Sequence, residues 1–161
     1  MSDRSIRRED IDFDKFIKAT SPVDELITMV LRVHLLSEYY LDRILLTKIP
    51  RADIFFEKAR PTFASKLSLT KSFSFTARDI LDSLKRLNDI RNKCSHDFNY
   101  SVSEADIDMV GRPFGKKYTK IKNEHGHKLN ELAKMTFLLL IARLSSLCQL
   151  EETELTKEKA D

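Results

Sequence analysis

Glycine and proline are scarce in this chain, three and four among 161 residues. That scarcity argues against a fold built on many tight turns and favours long helices. The two cysteines, Cys94 and Cys148, lie within helical patterns and form no spaced framework. A disulfide scaffold is thereby excluded, and both thiols read as small apolar residues suited to a reducing cytoplasm. The longest apolar run, 137–142, falls far short of the roughly 20 residues a membrane span needs. The opening MSDRSIRRED lacks the apolar core of a secretory signal. A soluble cytoplasmic protein with no membrane partner is the expectation. Net charge is small as well: 28 basic against 25 acidic residues leave +3, so any basic footprint for nucleic acid must be local. No glycine-rich phosphate loop, nucleophile elbow or helix-turn-helix is recognisable, which weighs against nucleotide hydrolysis, serine hydrolysis and direct operator binding.

What is present describes one globular domain spanning 1–161, with 42% apolar and 33% charged residues. Residues 1–21 form an N-terminal extension in which Ile11, Phe13, Phe16 and Ile17 suit a short packed helix. Ser21 and Pro22, with Asp24 and Glu25 behind them, start a first long helix over 23–47. Ile49-Pro50 ends it. A less regular helical segment covers 52–69, divided at Pro61, with Ile54, Phe55, Phe56, Phe63 and Leu67 as its core residues. LTKSFSFT reads as a connector. Thr76 to Asp79 supply caps for a third helix over 77–94. A long irregular stretch follows, 97–127, interrupted by a helical turn that Ser103 and Asp106 cap and Gly111 stops. Loops of this length are functional or disordered. The last helix spans 128–150 and is apolar almost all round from Met135 to Leu144, the pattern of a helix enclosed by its own bundle and by a partner chain. The charged tail, 151–161, has no apolar face and reads as flexible. The fold class is all-α: an antiparallel up-down bundle of four main helices, with a short N-terminal helix and a long loop before the last.

One stretch departs from this pattern. In LKRLNDIRNKCSHDF, residues 84–98, a helical wheel sets Arg91 about 20° from Ile80, inside a stripe made with Leu84, Leu87 and Cys94. A guanidinium keeps its charge, and burying it unpaired costs several kcal/mol or more, on the order of a whole side chain's burial. Asn92 follows at once and His96 five residues on. Those three types fit phosphoryl chemistry: a fork for phosphate oxygens, an amide to orient, and an imidazole that titrates near neutrality. On an unbroken helix, residues five apart diverge by about 140°, so Arg91 and His96 converge only if the helix ends between them or two subunits contribute. A plainer reading pairs Arg91 with Glu38 or Asp42 and lets His96 cap its helix. A second feature is 112–128, with six Lys or Arg against Glu124 and with Phe114 and Tyr118 interleaved. Arg112, Lys116, Lys117, Tyr118, Lys120 and Lys122 are the candidates for RNA contact, against the alternative of a solvated loop. His125-Gly126-His127 lacks a second ligand pair, so no metal is expected. His34 and Glu38 read either as lying beneath a cleft at Arg91 and His96 or, for His34, as a satisfied core histidine.

LNDIRNKCSHDF at the end of a third helix, with four residues between Arg and His, resembles the HEPN superfamily. With FASKLSL before it and HLLSEYYLDRIL in the first helix, the chain is similar to the mannitol-operon-repressor-type branch. The likeness covers 23–98 by pattern and the last helix in type. It implies a four-helix bundle that dimerises about a two-fold axis and brings two Arg/His motifs to one cleft. Many such domains are metal-independent endoribonucleases, often toxins or defence effectors; others are inactive RNA-binding or assembly modules. By position, Arg91, Asn92 and His96 would be the catalytic set, with no cofactor. The implied partners are RNA, a second copy of the chain, and a cognate antitoxin or regulatory protein.

Overall fold

The first long helix, α1 (Glu25–Lys48), forms because Leu26, Val30, His34, Ser37, Leu41, Ile44 and Leu45 recur at helical spacing and are all buried. The structure is a computed structural model, and residues 25–73 and 77–158 are described. The expected N-terminal helix and the Ser21-Pro22 start lie outside those residues, as does Thr76. Helix α2 (Ala52–Ala59) sits between Arg51 and Arg60, both left-handed at φ 56° and 42°. The break before Pro61 is where it was expected, and α3 (Phe63–Phe73) follows. Helix α4 (Arg78–His96) buries Ile80, Leu81, Ser83, Leu84, Leu87 and Ile90. Helix α5 (Glu104–Gly111), a 3-10 turn (Arg112–Phe114), α6 (Lys116–His125) and α7 (Leu129–Glu158) complete an all-α bundle.

Helix directions come from the paired ends. Asn130 meets Glu25 at the start of α7 and α1, and Arg43 grips Glu152 with two bonds of 2.6 and 2.7 Å near their far ends. Lys48 pairs with Glu151 beside them. The first and last helices are therefore parallel neighbours, where a simple up-down order would set them opposed. Helix α4 runs back against the pair: Asp79 at its start meets Arg143 at 3.0 Å, and Asn88 further along meets His34. Between α1 and α3 lies a buried cation. Lys66 Nζ stands 2.8 Å from Glu38 and 2.8 Å from Asp42. Burial opposes its charge, but bonds to Asp42 and Glu38 outweigh that and raise its pKa.

Five sequence expectations are corrected. The stretch 97–127 is mostly helical: α5 begins with the expected Ser103–Asp106 capping box, and α6 is anchored by Tyr118 and Ile121, beside Phe114 of the preceding 3-10 turn. The connector LTKSF is the end of α3, held by Thr70 on the Lys66 carbonyl and by a Lys71–Asp82 pair. The tail continues α7 to Glu158 because Glu151 and Glu152 bind Lys48 and Arg43. In the second segment Phe63 and Leu67 are buried, Phe55 and Phe56 are half-buried, and Ile54 is exposed. Helix α4 starts after Ala77 without a side-chain cap, since Asp79 is turned to Arg143. Among the described residues no helix is long and apolar enough to cross a membrane.

Gly111 is buried against the Tyr118 ring, and a Cβ there would fall inside the ring's van der Waals surface. Gly111→Ala is expected to destabilise by about 1–3 kcal/mol, the usual cost of overpacking, read from urea unfolding. Lys66→Met leaves two carboxylates facing each other without their cation and is expected to cost about 1–3 kcal/mol. Adding Glu38→Gln and Asp42→Asn to it should recover part of that loss in the same measurement.

Candidate functional site

Arg91 occupies the core arc of α4, at a helical angle between those of Ile80 and Leu84, which are both buried. Arg91 itself is half-buried. Its Nη1–H donates to Asn92 Oδ1 at 3.3 Å, and among the described residues no carboxylate lies within ion-pair distance of it. Glu38 and Asp42, the acids a plain structural pairing would use, are both engaged by Lys66. The guanidinium thus retains donors that no carboxylate of α1 takes.

The neighbouring side of the cluster is His34 on α1. Its Nε2 lies 3.0 Å from Asn88 Oδ1, a contact the Nε2–H tautomer makes by donating. Its ring packs on Phe63 with centroids 4.1 Å apart. Asn88 and Asn92 stand one turn apart, so α4 presents Asn88, Arg91 and Asn92 as a continuous polar strip. Sequence reasoning offered His34 either beneath the cleft or as a satisfied core histidine, and did not connect it to Asn88, which satisfies it in the structure. The i, i+4 amide pair Asn88 and Asn92 was the available signal. Burial holds the His34 imidazole below its ordinary range. The Asn88 bond opposes that shift, Arg91 adds to it, and Glu38 opposes it.

His96 is the last residue of α4, and the Asp97 N–H closes the helix on the Lys93 carbonyl. The helix does not end between Arg91 and His96, so within one chain the two diverge by about 140°. His96 is exposed, and among the described residues its side chain makes no hydrogen bond or ion pair, the expected cap included. Asn92 shares its face one turn earlier. The structure brings Arg91 and Asn92 together, Asn92 and His96 onto one side, and Arg91 and His96 apart.

The basic segment divides. Tyr118 is buried and donates to Asp108 at 2.5 Å, so it packs the corner and offers no ring for base stacking. Burial, then the Asp108 bond, pushes its hydroxyl far up. Lys122 binds Asp108 at 2.6 Å and Glu104 at 3.1 Å, which raises its pKa and withdraws it from solvent anions. Asp108 loses some hydration on burial, but the Lys122 and Tyr118 bonds hold its carboxyl low. Both of these candidates are thus engaged by Asp108 within the chain. Arg112, Lys116, Lys117 and Lys120 are exposed, with Lys120 3.9 Å from Glu124. Among the described residues no group of three or more His, Cys, Asp or Glu is placed to hold a metal.

Between pH 6.5 and the lower folded value of His34, the unfolded chain binds more protons than the native one. Stability contributed by neutral His34 is therefore full above 6.5 and falls as pH drops through that window. Thermal midpoints of the parent, scanned downward from pH 7.5, should decline more steeply than those of His34→Gln. Parallel curves would remove His34 from the account.

Compared with protein-family models, with curated proteins and with solved structures, the chain matches none.

Proposed function

We propose that this chain is a HEPN-type, metal-independent endoribonuclease acting as a homodimer. In this reading two sets of Arg91, Asn92 and His96 share one cleft. The observation that carries it is Arg91: a guanidinium at a core-facing angle, half-covered, bonded to Asn92 and unpaired by any described carboxylate. A bundle gains nothing from a cation placed so. A phosphate bound at the fork would complete it.

The chemistry follows from RNA itself. The 2′-oxygen attacks phosphorus, a base takes its proton, the bond to the 5′-oxygen breaks, and an acid returns a proton to that oxygen. The products are a 2′,3′-cyclic phosphate and a 5′-hydroxyl. Exposed His96 serves as acid or base, Arg91 stabilises the pentacoordinate phosphorane, and Asn92 links them, bonded to one and facing the same way as the other. Because the two end groups diverge on one helix, a second protomer supplies the complementary set. A toxin or defence role, with a cognate antitoxin, belongs to this reading. The other reading, a non-catalytic dimeric regulatory module, draws on an apolar groove of about 410 Å³ between α1 and α7, where Met29, Val33 and Ile141 are half-covered and Leu138 is exposed.

Purified protein incubated with mixed RNAs in EDTA should yield cyclic-phosphate ends. Arg91→Ala and His96→Ala should each slow cleavage by about 10²-fold or more while folding normally. Sedimentation equilibrium should show a dimer. A dimer that leaves every RNA intact supports the module and removes the enzyme.

A further inference from the structure

The outer side of α4 carries a hollow that the proposed cleavage does not use. It holds about 580 Å³, and Lys71, Asp82, Lys85, Arg86 and Arg112 line it, with Met109 and Pro113 supplying apolar surface. Four cations face one anion, a net of +3 by that count. The anion is already matched, since Lys71 Nζ lies 3.1 Å from Asp82. The other three cations are poorly compensated. Arg86 stands 3.8 Å from Asp89, beyond hydrogen-bond reach. Arg112 is 3.8 Å from Asp108, whose oxygens are held by Tyr118 and Lys122 at shorter distances. Lys85 has no ion pair or hydrogen bond among the described residues.

Three like charges gathered around one concavity repel each other, and packing does not explain the gathering. They are also held on firm supports. Lys85 and Arg86 ride on α4, and the buried Ser83 hydroxyl ties α4 to α5 by donating to the Val110 carbonyl at 2.7 Å. Arg112 and Pro113 follow a corner fixed by Gly111 against Tyr118. Cations presented this way on rigid walls are arranged for an anion from outside.

We infer that this hollow binds the phosphates of a nucleotide. Two guanidinium forks and an ammonium suit several phosphate oxygens at once. The volume lies within the range of small-ligand pockets, and the Met109 and Pro113 surface accepts a sugar or base edge. Asp82, paired with Lys71 through one oxygen, keeps acceptor capacity for ribose hydroxyls, which a nucleotide has and inorganic phosphate lacks. The phosphates come either from a free nucleotide or from an RNA strand. Lys85, Asn92 and His96 follow one face of α4 at i, i+7 and i+11, so a strand seated here would run on toward His96, about 16 Å along the helix. The site stands whether or not the chain cuts RNA.

Binding is measured in the His96→Ala background, which protects RNA from cleavage, using ATP and an eight-nucleotide single-stranded RNA as separate probes. At least one probe should bind, and Lys85→Ala/Arg86→Ala should weaken it tenfold or more. Lys58→Ala/Lys157→Ala, which removes the same charge from exposed sites elsewhere, should leave it unchanged. If the RNA binds, the pocket variant should also flatten the slope of log affinity against log salt by about 1.4, from two single-strand phosphate contacts. ATP binding alone identifies a free nucleotide, and RNA binding identifies a strand. No binding of either probe, or equal weakening by both double variants, overturns the site. Cleavage by the parent is scored separately, so loss of the ribonuclease reading and loss of this one are distinguishable.

Discussion

Lys66, buried between Glu38 and Asp42, decides what the rest of the polar interior is able to do. Two acids one turn apart on α1 repel each other and would weaken that helix alone. Lys66 answers both, with Nζ 2.8 Å from each, and in doing so fastens α3 across α1. Its pKa rises despite burial, which marks the pair of carboxylates as the stronger influence. The consequence reaches the neighbouring helix. With both acids occupied, Arg91 finds no carboxylate on α1 and turns to the amide of Asn92.

The cluster that results is ordered from the inside outward. His34, buried and neutral, donates to Asn88 and packs on Phe63, which fixes where α1, α3 and α4 meet. Asn88 leads by one turn to Asn92, Arg91 sits beside it half-covered, and His96 lies exposed at the helix end. Polarity and solvent access increase together along α4. A protein that needed only stability would close this seam with apolar residues, as it does a few positions earlier with Leu84 and Leu87.

Long helices were legible because their burial is periodic: Leu26, Val30, Leu41 and Ile44, or Leu84 and Leu87, announce themselves by spacing. The Ser103–Asp106 box was readable for the same reason, being local chemistry at a fixed offset. Helix α6 was not, because lysines outnumber its apolar residues and its own hold on the core is two side chains, Tyr118 and Ile121. The continuation of α7 was hidden in partners far along the chain, Arg43 and Lys48, which no local pattern contains. The same limit applies to the site. Arg91 stood out on a wheel, but Lys66 taking its expected partners, Asn88 taking His34, and Tyr118 turning inward to Asp108 are all tertiary outcomes.

The contrast between the two interior cations shows why residue type matters as much as charge. Lys66 is a compact ammonium with three donors, and two carboxylates meet most of its needs in a small space. Arg91 spreads its charge over a plane with five donors, of which the Asn92 carbonyl takes one among the described residues. Exchange the two and the logic changes: an ammonium at position 91 would offer a phosphate one point of contact in place of a fork. The placement that gives Lys66 both carboxylates is the placement that leaves Arg91 without one. The incomplete cation is therefore a product of the fold's own bonding, presented at the helix that carries Asn92 and His96.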